Sequence, residues 1–140
     1  MKFSIQKNDL QNLLNEHMKV VPIRTTLPIL MCALFEVSKQ TLIIKTTDLD
    51  QTIISKKEIS NEEKGSVAVP IAKLNEIIIA MPNEEIRIST NKDNRIEINN
   101  NQGTYKITGR SPDEFPEKDE EETQQNLVLS GKDFLEIVEK

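Results

Sequence analysis

The residues that could do chemistry are few in this 140-residue chain: one histidine, one cysteine and four glycines. Nucleophilic triads and zinc sites need His and Cys in company. His17 has no such partner at metal-ligand spacing, and it reads as a residue at the edge of a helix's apolar stripe. Cys32 sits inside the apolar run 29–35 and reads as core packing, with no second thiol for a disulfide. Gly65, Gly103, Gly109 and Gly131 form neither a GxGxxG fingerprint nor a P-loop, so no phosphate cradle is present. Asp48 and Asp50, in Thr46-Thr47-Asp48-Leu49-Asp50, have the carboxylates for Mg²⁺, but two aspartates between strand-like segments read as turn chemistry. Asn91-Lys92-Asp93 imitates a guanine-specificity motif and, lying between two alternating strands, also reads as a turn. The chain is therefore expected to be no enzyme and to need no cofactor and no metal.

Charge is more informative by segment than in total. The net charge of −5 taken as a whole is at odds with a phosphate-bearing partner, because binding one requires Lys and Arg to displace counterions. Residues 113–122, DEFPEKDEEE, hold seven acids and one lysine, and the other 130 residues carry 17 basic and 16 acidic side chains. The rest of the chain is thus slightly positive. Residues 1–24 place Lys2, Lys7, Lys19 and Arg24 against Asp9 and Glu16, while the acidic block reads as a solvated linker.

These side chains need elements to position them. At 36% hydrophobic and 29% charged, the chain has the composition of a folded domain, and its length suits about one. The longest apolar runs, 29–35 and 77–81, fall far short of the roughly 20 residues of a membrane span. No apolar leader follows Met1-Lys2, so the cytoplasm is the expected location.

One pattern occurs three times: two alternating apolar residues, a short polar break, then apolar residues at helical spacing. Phe3 and Ile5 precede Leu10, Leu13 and Leu14. Val67 and Val69 precede Leu74, Ile77 and Ile78, and Leu127 and Leu129 precede Phe134, Ile137 and Val138. The first helix, with Asn8 or Asp9 as N-cap, should continue its stripe through Met18 and Val21. The second should open at Pro70 and stop near Pro82. Strands are expected at 29–37, 41–47 and 51–59 after the first helix, and at 85–90, 95–99 and 104–108 after the second. Strands joined by short polar turns favour antiparallel pairing. The expected architecture is α+β, a pseudo-twofold βαβββ repeat with two helices on one side of antiparallel sheets. Residues 1–112 form the first domain, 113–125 the acidic linker and 126–140 the start of another domain. The third copy of the pattern stops about two turns into its helix, so the chain reads as truncated.

Five segments carry a resemblance: Met1-Lys2-Phe3-Ser4-Ile5, Arg24-Thr25-Thr26-Leu27-Pro28-Ile29-Leu30, Thr47-Asp48-Leu49-Asp50, Val69-Pro70 and Asp113-Glu114-Phe115-Pro116. Together, in this order, they resemble the bacterial DNA polymerase III beta subunit, the replicative sliding clamp. The resemblance implies three βαβββ-repeat domains per subunit and two subunits closing head to tail into a ring around duplex DNA. Such a protein is a non-enzymatic processivity factor that tethers the polymerase. It also implies that the pocket for polymerase and clamp-loader peptides lies mostly in later domains, so this chain should bind them weakly. The reading from a different class is a freestanding α+β protein-interaction module with no nucleic-acid role.

By the same resemblance the helices line the channel and read phosphate charge rather than base edges. Arg24 matches a family arginine that touches DNA. At the start of the second helix, where the family can carry an arginine, this chain has Ala72 followed by Lys73, which would serve DNA or the subunit interface. That interface is implied for the last strand, Thr104-Tyr105-Lys106-Ile107-Thr108. Tyr105 takes the aromatic position, Lys106 the basic one and Ile107 the apolar one, while Gln102 and Thr104 stand where arginines can occur.

Overall fold

Each half of the chain begins with a strand that runs straight into a helix, and the two halves exchange those opening strands. The computed structural model describes residues 1–116. The elements are β1 (Lys2–Gln6), α1 (Lys7–Met18), a 3₁₀ turn (Pro28–Met31), β2 (Cys32–Ser38), β3 (Thr41–Thr47), β4 (Thr52–Glu58) and β5 (Ser60–Glu63). The second half supplies β6 (Gly65–Pro70), α2 (Ile71–Ala80), β7 (Glu85–Thr90), β8 (Arg95–Asn100), β9 (Gly103–Thr108) and a 3₁₀ turn (Pro112–Glu114). Two antiparallel sheets result, ordered β5-β1-β7-β8-β9 and β4-β3-β2-β6.

The pairing follows from which residues each strand must hide. β1 sets Phe3 opposite Ile88 and Ile5 opposite Ile86. β6, 64 residues on, sets Val67 opposite Phe35 and Val69 opposite Ala33. A one-residue slip would turn these side chains to solvent, so burial holds the register. Each sheet therefore joins the opening strand of one repeat to the three later strands of the other, and the first sheet gains β5 as well. Leu10 and Leu14 of α1 meet Ile71, Leu74 and Ile78 of α2 and the inner faces of both sheets in one core. Burying each of these side chains contributes roughly 1.5–3 kcal/mol.

The antiparallel βαβββ reading holds, and four details differ. The segment 29–31 belongs to a 3₁₀ turn, because Pro28 has no N–H for a ladder and Leu30 donates back to the Leu27 carbonyl at 3.0 Å. α1 starts at Lys7 with no side-chain cap, since the Lys7 N–H goes to the Glu84 carbonyl at 2.9 Å and neither Asn8 nor Asp9 is needed there. Pro70 closes β6 and sits just before α2 rather than inside it. The chain also breaks at Ile59, and β5 leaves the second sheet to pair with β1.

After β9 the chain makes the matching exchange: Arg110 bridges to Ala68 of β6. Ser60 and Arg110 thus cover the same edge of equivalent strands, at Ser4 and Ala68. Residues 113–116, expected at the head of the acidic linker, lie against the domain. Phe115 is buried, and the Ser111 hydroxyl accepts from the Asp113 N–H at 3.2 Å. Residues 117–125 of that linker and the third pattern at 126–140 lie outside the described residues.

Candidate nucleic-acid interface

α1 and α2 pack side by side, and what α1 leaves exposed is polar while α2 leaves polar and apolar side chains. α1 presents Asn8, Asn12, Asn15, Glu16 and Lys19; α2 presents Lys73 and Glu76 beside Ala72, Ile79 and Ala80. Two bases and two acids make this helical face nearly neutral, less basic than the resemblance implied. The Asp9 carboxylate is engaged with Lys57 of β4 at 3.7 Å.

Arg24 lies exposed in the connection between α1 and the first 3₁₀ turn, next to Ile23, which is 93% exposed. The Thr25 hydroxyl accepts from the Leu27 N–H at 3.0 Å, which shapes the far side of this bend. Lys73 sits in the first turn of α2 with its side chain in solvent. α2 also touches β9, the last strand, whereas Arg24 hangs from a different element.

β9 is an edge strand among the described residues, paired only with β8. Its register separates the candidate interface residues. Tyr105 lies opposite Ile98 and Ile107 opposite Ile96, so both are on the core-facing side of the sheet. Ile107 packs on the core, and Tyr105, at the rim, stays 41% exposed. Lys106 lies opposite Glu97 on the other side, where it joins Arg95, Ser89, Thr90 and Asn91 around a groove of about 220 Å³.

The two dipeptide-scale decoys are turns, as their sequence context indicated. Asp48 Oδ1 accepts from the N–H groups of Asp50 and Gln51 at 2.9 and 2.6 Å, and Asn91 Oδ1 from those of Asp93 and Arg95 at 2.9 and 3.0 Å. Cys32 is buried at the start of β2. Burial pushes its thiol up, against the Arg110 guanidinium and together with the Glu114 carboxylate, so it holds its proton at neutral pH.

His17 overturns its expected place. It is 0% exposed, not at the stripe's edge, and its Nδ1 lies 2.6 Å from Thr46 Oγ1 and its Nε2 2.9 Å from Ser55 Oγ. The signal was present in the spacing: His17 follows Leu10 by seven and Leu14 by three, which puts all three on one helical face. Burial lowers its pKa from 6.5 to about 4, so the imidazole is neutral at physiological pH.

Interleaved sheets, paired helices and an open edge strand define the class: a pseudo-symmetric clamp-type domain. The Helicobacter pylori beta clamp bound to a DNA ligase peptide superposes with a TM-score of 0.80 at 28% identity, over 85% of this chain and 33% of that one. The DNA polymerase III beta subunit of Pseudomonas aeruginosa gives 0.80 at 26% identity, over 85% and 32%. Among sequence relatives, the beta sliding clamp of Staphylococcus epidermidis is 28% identical over 146 residues, 99% of this chain and 39% of that protein. That of Vibrio harveyi is 26% identical over 141 residues, 100% and 97%. The model of the DNA polymerase III beta subunit N-terminal domain matches residues 1–119, and the chain belongs to that family. It spans about a third of the length of most of the relatives above.

Proposed function

We propose that this chain is the amino-terminal part of a sliding clamp, a non-enzymatic processivity factor. In the full-length protein, two subunits close head to tail around duplex DNA in the cytoplasm and tether the replicative polymerase. The observation that carries this reading is the clamp-type domain itself, two interleaved antiparallel sheets with two helices packed side by side. A ring holds DNA by topology, so it needs few strong phosphate contacts, and the sequence-independent ones it makes let it slide. Arg24 and Lys73 supply the charge that meets phosphate, without reading base edges.

Tyr105, Lys106 and Ile107 of β9, together with Lys73 of α2, form the surface for the partner subunit. Among the described residues β9 is an edge that a further strand could extend, and Tyr105 offers a rigid aromatic anchor at the rim. With Gln102 and Thr104 in place of arginines, that contact depends less on ion pairs and more on apolar area. The first domain runs through the packed Phe115, the acidic linker follows to about residue 125, and the next domain begins at 126. Clamp-loader and polymerase peptides bind mainly to later domains.

The test uses the full-length protein on nicked circular and linear DNA of equal length, loaded at the same level. The expected result is retention on the circle and rapid loss from the linear form. Equal loss from both would favour a freestanding interaction module and sink the ring.

A further inference from the structure

We propose that His17 is a positioning residue, a latch that fixes the root of the Arg24-bearing connection to the second sheet. The part concerning DNA rests on the reading of Arg24 above; the latch itself does not.

The geometry is that of a cross-element tie. α1 ends at Met18, and the next thirteen residues include no strand or α-helix. The connection is rooted at His17, whose carbonyl accepts from the Val20 N–H at 3.1 Å, while the Glu16 carbonyl accepts from Lys19 at 3.4 Å. The imidazole reaches out of the helix to two strands at once, Thr46 on β3 and Ser55 on β4. These belong to one surface: Thr46 continues the inward series Leu42 and Ile44, and Ser55 lies directly opposite Ile44.

Three hydrogen-bonding groups set beside the buried Leu42 and Ile44 are costly unless they satisfy one another. Each hydroxyl can donate or accept, so a neutral imidazole is satisfied in either tautomer. A leucine would fill similar space and tie nothing. The histidine therefore sets the angle and depth of α1's last turn relative to β3 and β4, and with it the point from which Arg24 departs.

The charged groups around this site do not replace the latch. On α1, Glu16 and Lys19 are exposed and Asp9 pairs with Lys57 of β4. On β3, Lys45 pairs with Glu36 of β2 at 2.9 Å, and Asp48 holds the turn beyond Thr47.

The test begins with amide hydrogen exchange and ¹⁵N relaxation on the 140-residue chain. In His17→Leu, exchange across residues 19–31 should rise at least ten-fold relative to β7–β9, whose rates should stay within two-fold. Ser55→Ala, at a half-buried position, should give a smaller rise in the same segment. It guards against a His17 variant that fails to fold. His17→Gln, which can still reach Ser55, should recover part of the protection. If exchange in 19–31 changes only in step with the whole domain, or if Ser55→Ala leaves it untouched, the latch is wrong.

A second arm measures binding of the full-length protein to short linear duplex across salt concentrations. His17→Leu and Arg24→Ala should weaken binding to a similar degree, and the double variant no further than the stronger single. Additive losses would overturn the claim that His17 acts through Arg24. If Arg24→Ala alone changes nothing, the DNA reading of Arg24 fails, while the exchange data still decide the latch.

Discussion

Among the described residues, His17 is the one whose ionisation separates the folded from the unfolded chain by a large margin. Its pKa is 6.5 when unfolded and about 4 in the fold, so between those values the unfolded chain binds more protons. Stability must then fall as pH drops from about 6.5 to about 4 and level off below that. At about 1.4 kcal/mol per unit, the full loss is on the order of 3 kcal/mol. Urea unfolding at pH 7.5 and 4.5, for the native protein and His17→Leu, checks this, because other titrating groups are common to both. The native protein should lose more stability on acidification; parallel losses would mean that the buried imidazole does not exclude a proton. Arg24 is the opposite case. It is exposed, so Arg24→Ala should shift the domain's stability by no more than roughly 0.5 kcal/mol. In the full-length protein it should lower the salt slope of DNA binding by about 1. A melting curve and a salt titration separate the two effects.

At the scale of elements, β1 and β9 make opposite demands. β1 is central, with β5 on one side and β7 on the other, and Phe3 is fully buried opposite Ile88. Phe3→Ala should cost about 3–5 kcal/mol, through lost transfer energy and the cavity left behind, and denaturant unfolding would register it. β9 is an edge, and Tyr105→Ala removes a ring that is partly in solvent. The domain's stability should fall by less than about 1 kcal/mol. Association of full-length subunits, followed by sedimentation, should weaken by ten-fold or more. A Tyr105→Ala protein that unfolds, or that associates as before, would place the residue in plain cross-strand packing. Period-two alternation made β7, β8 and β9 legible, because one wet and one dry face leave a pattern in the residues themselves. β5 was not legible: Ser60-Asn61-Glu62-Glu63 has no alternation, and it is a strand only because β1 has an edge to cover.

At the scale of the molecule, the two sheets are joined where the chain leaves one for the other. Gly109 marks such a crossing, its N–H donating to the Asn94 carbonyl at 2.8 Å just before Arg110 meets Ala68. A Cβ there would lie 2.8 Å from both the Ala68 and the Asn94 carbonyl oxygens, and backbone cannot step aside cheaply. Gly109→Ala should therefore cost about 1–3 kcal/mol, seen as a fall in melting temperature on the order of 5 °C. An unchanged melting temperature would mean that the crossing yields. The same crossing seats Phe115 against the domain, which composition alone assigned to a solvated acidic stretch. Seven acids in ten residues hid one buried aromatic.

What the sequence determined by itself was the βαβββ repeat of the two halves, the two helices, eight of the nine described strands and the family, since each rests on residues a few positions apart. Helical spacing, alternation and turn chemistry are local, and the five family segments keep their order along the chain. Only the tertiary structure decided that β1 and β6 trade places, that Ser60 and Arg110 cover equivalent edges, and that His17 faces two hydroxyls. Each of those depends on partners 28 to 87 positions apart. No local pattern reports them, because the contact forms only when burial brings distant segments into register.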